Sequence, residues 1–167
     1  MAFSNDTVSK IELGLVKSGF QIINSIFLND FNVHKIIIKS NIEITVYAYL
    51  KKITSSGWSN KTNVRRVQIS KLDMSKLVKS TLNETAIIIG YQDIFEKTIY
   101  VAWNVYKYIA HKTNRSCYVN ASSLFKAFID GYFTTTDLSQ KVWVSDEKNL
   151  NKLLYDYMKY NATITED

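Results

Sequence analysis

From Glu43 to Lys71 the chain reads EITVYAYLKKITSSGWSNKTNVRRVQISK, and three different textures follow one another in it. Glu43 to Ile53 alternates apolar Ile44, Val46, Ala48 and Leu50 with Thr45, Tyr47, Tyr49 and Lys51, the period-two signature of a strand. A small polar loop follows, Ser55-Ser56-Gly57-Trp58-Ser59-Asn60-Lys61-Thr62-Asn63. Val64 to Ser70 then returns as a second strand, with Val67 and Ile69 on one face and Arg66, Gln68 and Ser70 on the other.

Charge sets this stretch apart. No carboxylate lies between Glu43 and Asp73, whereas Lys51, Lys52, Lys61, Arg65, Arg66 and Lys71 do. Lysine neutralises phosphate, arginine forks onto phosphate or guanine, and Asn and Gln pair with adenine edges. An ordinary basic hairpin exposed to water carries the same charge, so the remaining chain must decide. It holds a second carboxylate-free stretch, Lys97 to Ile129, with Lys107, His111, Lys112, Arg115 and Lys126. The polar segment His111-Lys112-Thr113-Asn114-Arg115-Ser116 in it forms a second basic loop. Two such loops, each rich in amides and hydroxyls, supply base-edge donors and acceptors as well as charge.

The 167 residues, 46% of them hydrophobic, suffice for one domain with a real core. Net charge is +6, which suits an anionic partner. Without proline and with only five glycines there is no flexible linker. The apolar runs are strand-length, no signal peptide opens the chain, and no membrane contact is expected. A lone Cys117 excludes an internal disulfide and suits the cytoplasm. The end of the sequence, right after a helical pattern, suggests the N-terminal part of a larger protein.

In chain order, Asp6 caps a helix Thr7–Ser18 closed by Gly19, with Val8, Ile11 and Leu15 facing inward. Strands follow at Phe20–Phe27 and Lys35–Lys39, then the opening pair, then a short helical turn at Asp73–Lys79. Thr85–Tyr91 and Lys97–Trp103 form a hairpin, and Ser116–Val119 is a short strand. Ala121–Ile129 is a helix stopped by Gly131, Val142–Val144 a last strand, and Asp146–Tyr160 a helix capped by Ser145. About seven strands, mostly hairpin-connected and without βαβ alternation, make an α+β chain. A mostly antiparallel, strongly curved sheet or open barrel with flanking helices is the natural closure.

Catalytic signatures are sparse. Two histidines and one cysteine make a poor zinc set, and neither a glycine-rich phosphate loop nor a nucleophile elbow occurs. No cofactor or metal is expected. The single nuclease-like pattern is Asp146-Glu147-Lys148 after Val142-Trp143-Val144, where Mg²⁺ and a lysine would meet a scissile phosphate; a capped helix start has the same appearance.

This layout resembles the B3-like DNA-recognition domains of restriction enzymes: the N-terminal domain of EcoRII-type endonucleases, the recognition domain of BfiI-type enzymes and the N-terminal domains of McrB-like restriction GTPases. The residues that carry the likeness are Arg65-Arg66-Val67-Gln68-Ile69-Ser70 after a strand and polar loop, Thr85 to Tyr91, Thr98 to Trp103, and Ser116-Cys117-Tyr118-Val119 after the second basic loop. The resemblance implies a seven-stranded pseudobarrel with two arms that grip double-stranded DNA from the major groove. Ser55–Gln68 would be one arm and His111–Ser116 the other. The chain departs from the simplest members in having more terminal helix.

The expected site follows. Lys61, Lys112 and Arg115 anchor phosphates, and Arg66, Gln68, Asn60, Asn63 and Asn114 read base edges. Trp58 stacks on a base or packs the loop, and His111 donates to phosphate or to the fold. Ser55, Ser56, Lys107 and Ser116 line the arms. Arg65 shares the parity of Val67, which makes it a packing or salt-bridge residue and Arg66 the better reader. The expected partners are double-stranded DNA and other subunits of a restriction complex.

Overall fold

Strand Glu43–Lys52 alternates as its sequence reads, yet both of its faces are covered, and that double burial organises the molecule. The structure is a computed structural model that describes residues 3–57, 59–70, 79–108 and 115–164. Its elements are α1 (Asn5–Lys17), β1 (Gln21–Leu28), β2 (Val33–Lys39), β3 (Glu43–Lys52), β4 (Thr54–Ser55), β5 (Val64–Ile69), β6 (Glu84–Ile94), β7 (Lys97–Trp103), β8 (Arg115–Asn120), α2 (Ala121–Asp130), β9 (Tyr132–Asp137), β10 (Gln140–Ser145) and α3 (Leu150–Ile164). Short 3₁₀ turns lie at Val105–Lys107 and Glu147–Asn149.

The strands form a seven-stranded sheet, ordered β1-β2-β3-β6-β7-β10-β9, and a three-stranded sheet, ordered β4-β5-β8. Every neighbouring pair is antiparallel except β3 and β6. On one face of the large sheet, Ile11 and Leu15 of α1 and Leu150, Leu153 and Tyr157 of α3 pack on Ile44, Val46, Leu50, Ile89 and Trp143. On the other, Val67, Ile69, Cys117 and Val119 of the small sheet and Leu124 and Ala127 of α2 pack on Tyr49, Ile88, Val101, Trp103 and Val144. Hence Thr85 to Tyr91 reads as a continuous apolar run: both of its sides are inside.

The expected α+β class and the mostly antiparallel sheet are present, but the large sheet does not close into a barrel. It stays open, with β1 and β9 as its edges. Separate layers already cover both faces, so curling is not needed to bury an inner one.

The single parallel pair explains where the small sheet lies. Parallel neighbours need a crossover longer than a hairpin turn, and the β3-to-β6 crossover carries β4 and β5. The strand that follows the first basic loop is therefore laid across the large sheet. Glycines permit close packing on both faces, Gly90 under the small sheet and Gly14 in α1. A side chain on Gly90 would come within 2.7 Å of Ile53 and 2.9 Å of Val67, and one on Gly14 would collide with the Tyr100 ring and Leu150.

Several local expectations change. The cap of α1 is Ser4, whose Oγ accepts from the Thr7 amide at 3.2 Å; Asp6 instead accepts from the Tyr91 hydroxyl at 3.0 Å. At the last helix the cap is Asp146 rather than Ser145, and α3 begins at Leu150 after a 3₁₀ turn. Strand β9 was not foreseen, because Tyr132-Phe133-Thr134-Thr135-Thr136 carries little apolar alternation. The turn expected at Asp73–Lys79 lies outside the described residues except for Lys79. Among the described residues no helix is long and apolar enough to cross a membrane.

Candidate nucleic-acid interface

The small sheet has one apolar and one polar face, as the parity of β5 requires. Val67, Ile69, Cys117 and Val119 turn inward and are buried. Register places Thr54 beside Arg66, Arg66 beside Tyr118, and Gln68 beside Ser116. Directly paired residues share a face, so these five form the outer wall. Thr54 and Gln68 are exposed, and Arg66, Ser116 and Tyr118 are half-buried. Arg66 and Gln68 thus stand together as their parity predicts. Tyr118, which sequence reasoning passed over, belongs to the same wall; the signal was present, since it has the parity of Ser116 in β8.

The free edge of β8 is tied to the large sheet by side chains. Gln140 accepts from the Tyr118 amide at 2.7 Å and donates to the Ser116 carbonyl at 3.3 Å. Trp103 Nε1 donates to the Tyr118 carbonyl at 2.9 Å. Asp137 accepts from the Asn120 amide at 2.9 Å and from Ser123 Oγ at 2.7 Å. Asp137 and Gln140 flank the β9–β10 turn, where Leu138 and Ser139 both have positive φ. An exposed edge strand is a liability that proteins cover, and this one is covered by a two-pronged clamp. The other strand is braced at its end: Lys51 Nζ donates to the Gln68 carbonyl at 3.1 Å, and the Ser70 amide donates to Tyr49 Oη at 3.2 Å.

The first loop joins β4 to β5. Ser56 is 3% exposed and donates its hydroxyl to the Lys61 carbonyl, so it holds the loop rather than lining a surface. Ser55 Oγ accepts from the Gly57 amide, and Gly57 has φ +79. Arg65 turns its guanidinium back onto the Thr62 carbonyl at 2.6 Å. The Asn63 carbonyl accepts from the Ala121 amide at 2.7 Å, fastening the loop to the start of α2. The side chains of Asn60, Lys61 and Asn63 lie outward and exposed.

The second loop enters β8 at Arg115, which pairs with Ile69, at the opposite end of the small sheet from the first. The first loop and Arg115, the described end of the second, therefore lie at opposite ends of the outer wall, about 17 Å apart over five strand residues. Arg115 is exposed and lies over the Tyr108 ring, 5.7 Å from its centroid. Lys107 is exposed on the 3₁₀ turn that precedes this loop. Trp58, His111, Lys112 and Asn114 lie outside the described residues. Beneath the wall, burial pushes the Cys117 thiol up to about 12, so it stays protonated and inert.

The Asp146–Lys148 pattern has a structural use. Asp146 is 8% exposed, and its Oδ1 accepts from the backbone and side-chain nitrogens of Asn149 at 3.1 and 2.8 Å. Glu147 pairs with Lys17 and accepts from the Thr98 amide. Among the described residues no group of three or more His, Cys, Asp or Glu is placed to hold a metal. The nuclease alternative therefore finds no support.

No curated protein and no solved structure matches the chain. A family model, methylase-associated X1, matches residues 44–154. The match takes in β3 through the first part of α3, including the whole small sheet and both basic loops. It associates the chain with restriction–modification. With the greater part of its length matched, the chain belongs to the methylase-associated X1 family.

Proposed function

We propose that this protein reads double-stranded DNA by sequence for a restriction–modification system, as a domain of a larger restriction protein or beside its other subunits in the cytoplasm. The reading is B3-like: two basic arms flank a polar wall and enter the major groove. Cleavage, methyl transfer or motor activity belongs to other domains or subunits, and no cofactor takes part.

The observation that carries this is the outer wall of the β4–β5–β8 sheet. It aligns Arg66, Gln68, Thr54, Ser116 and Tyr118 on strands free of carboxylates. The major groove is about 12 Å wide and admits a β-ribbon, so arms leaving the two ends of the wall, about 17 Å apart, reach the phosphates on either side of it. Arg66 suits guanine O6 and N7, and Gln68 suits adenine N6 and N7. Lys61 and Arg115 at the two ends are the phosphate anchors.

The test is selection from a randomised duplex pool at fixed salt, followed by anisotropy titrations. An enriched sequence should bind at least roughly 10³-fold tighter than its scrambled version. Equal binding of every duplex would leave only a generic polyanion site and defeat the proposal.

A further inference from the structure

Toward the end of α2 away from the first loop, that helix and the β6–β7 turn expose an apolar patch that the fold itself does not use. Phe95 is 88% exposed, Ile129 78% and Phe125 48%. The Phe95 and Phe128 rings lie 6.2 Å apart, and Phe125 and Ile129 are one helical turn apart on the outer face of α2. Phe95 also has φ +51. A bulky residue in the left-handed region is strained, and one left in water gains nothing from burial in return. Both costs fall on the same residue at a hairpin tip, where Gly or Asn would serve the turn better.

We infer that this patch is the contact between two copies of the chain, packed about a twofold axis with their α2 helices antiparallel. Charge selects this occupant. The protein carries +6 overall, so two copies repel across most of their surfaces. Around the patch Glu96, Lys97, Lys126 and Asp130 sum to zero. Lys126 and Asp130, four residues apart and 2.9 Å apart across one helix face, are 53% and 43% exposed. Antiparallel pairing about a twofold sets Lys126 of one copy against Asp130 of the other, twice. A twofold interface must be self-complementary, and an opposite-charge pair on one helix face meets that condition.

The consequence for DNA rests on the function proposed above. The start of α2 is bonded to Asn63 of the first loop, and the patch lies toward its other end. The ten-residue helix puts the two about 15 Å apart. The dimer then holds two reading walls in a twofold relation and favours an inverted-repeat site.

Sedimentation velocity of the full chain without DNA tests the contact. From about 1 to 200 μM, the range expected for a small interface, the mass should rise from 19.3 kDa toward twice that value. Phe95→Asp combined with Ile129→Asp, both at exposed positions, should hold it at the monomer mass. Lys126→Glu alone should weaken association about fivefold, and adding Asp130→Lys should restore it. A wild-type chain that stays monomeric at the highest concentration overturns the contact, as does a dimer that the double aspartate variant leaves intact. A dimer that binds inverted repeats no better than single half-sites refutes the twofold reading alone. A dimer that selects no duplex sequence at all refutes the function proposed above and leaves the contact standing.

Discussion

Tyr118 stands directly opposite Arg66 across the β5–β8 ladder. The Tyr118 amide and carbonyl both turn outward, to Gln140 and Trp103, so the two residues form a non-hydrogen-bonded pair. In such pairs facing side chains approach most closely. A bulky neighbour across the ladder limits the space through which the Arg66 side chain can swing. Arg66→Ala should cost about 1–3 kcal/mol on the selected duplex and relax specificity at one position. Tyr118→Ala should weaken the same position without changing the salt slope. Lys61→Ala should weaken every duplex and reduce the slope of log K against log salt by about one. Equal losses for Arg66→Ala on selected and scrambled duplexes would remove its base-reading role.

Gln140 supplies a second prediction. Its side chain satisfies an amide and a carbonyl of β8 at once, and Gln140→Leu leaves both without it. An unmade bond to a buried group costs about 1–3 kcal/mol. Hydrogen exchange should therefore quicken at Tyr118 while amides of β3 and β6 keep their protection. Discrimination between duplexes should fall with it, since Tyr118 rides on β8. Unchanged exchange at Tyr118 would mean that Trp103 and Asp137 hold the edge without Gln140.

The reading wall was legible from parity alone. Val67 and Ile69 against Arg66 and Gln68 is a period-two statement, and local sequence carries it completely. The layering was not. Thr85 to Tyr91 announces double burial only through its lack of alternation, and nothing in it says that one covering layer is a second sheet. The caps expected at Asp6 and Ser145 are displaced for different reasons, one a partner distant in sequence and the other a local bond three residues on. Tyr91 claims Asp6, and Asn149 claims Asp146. Thr-rich β9 gives no periodic signal because its place is set by pairing with β10.

Gly90 decides how closely the two sheets approach. A methyl group there would lie 2.7 Å from Ile53, 2.9 Å from Val67 and 3.0 Å from Trp103, well inside van der Waals contact. Gly90→Ala should destabilise by about 1–3 kcal/mol through overpacking, despite the lower chain entropy of alanine when unfolded. Urea midpoints measure it. A stabilised variant would show that the small sheet lifts away freely, and the rigidity of the wall would then need another source.

The pH dependence of stability should have two separable windows. Burial lowers the His34 pKa from 6.5, against a smaller upward pull from Glu12; Ser25 Oγ lies 2.7 Å from Nε2, and Nδ1 is buried without a partner. The folded chain therefore binds this proton less readily than the unfolded one. Its contribution is complete above pH 6.5 and is lost as pH falls through the depressed folded value. Burial would raise the Glu147 pKa, but Lys17 and the Thr98 amide outweigh it and hold the carboxyl below 4.5. That contribution is complete above pH 4.5 and is lost at more acid pH. Urea titrations from pH 8 to pH 3 should show a first decline below about 6.5 that His34→Gln abolishes. A second decline below about 4.5 should survive His34→Gln and weaken in Glu147→Gln. A first decline that persists in His34→Gln would assign it to another group and return His34 to an ordinary surface-like titration.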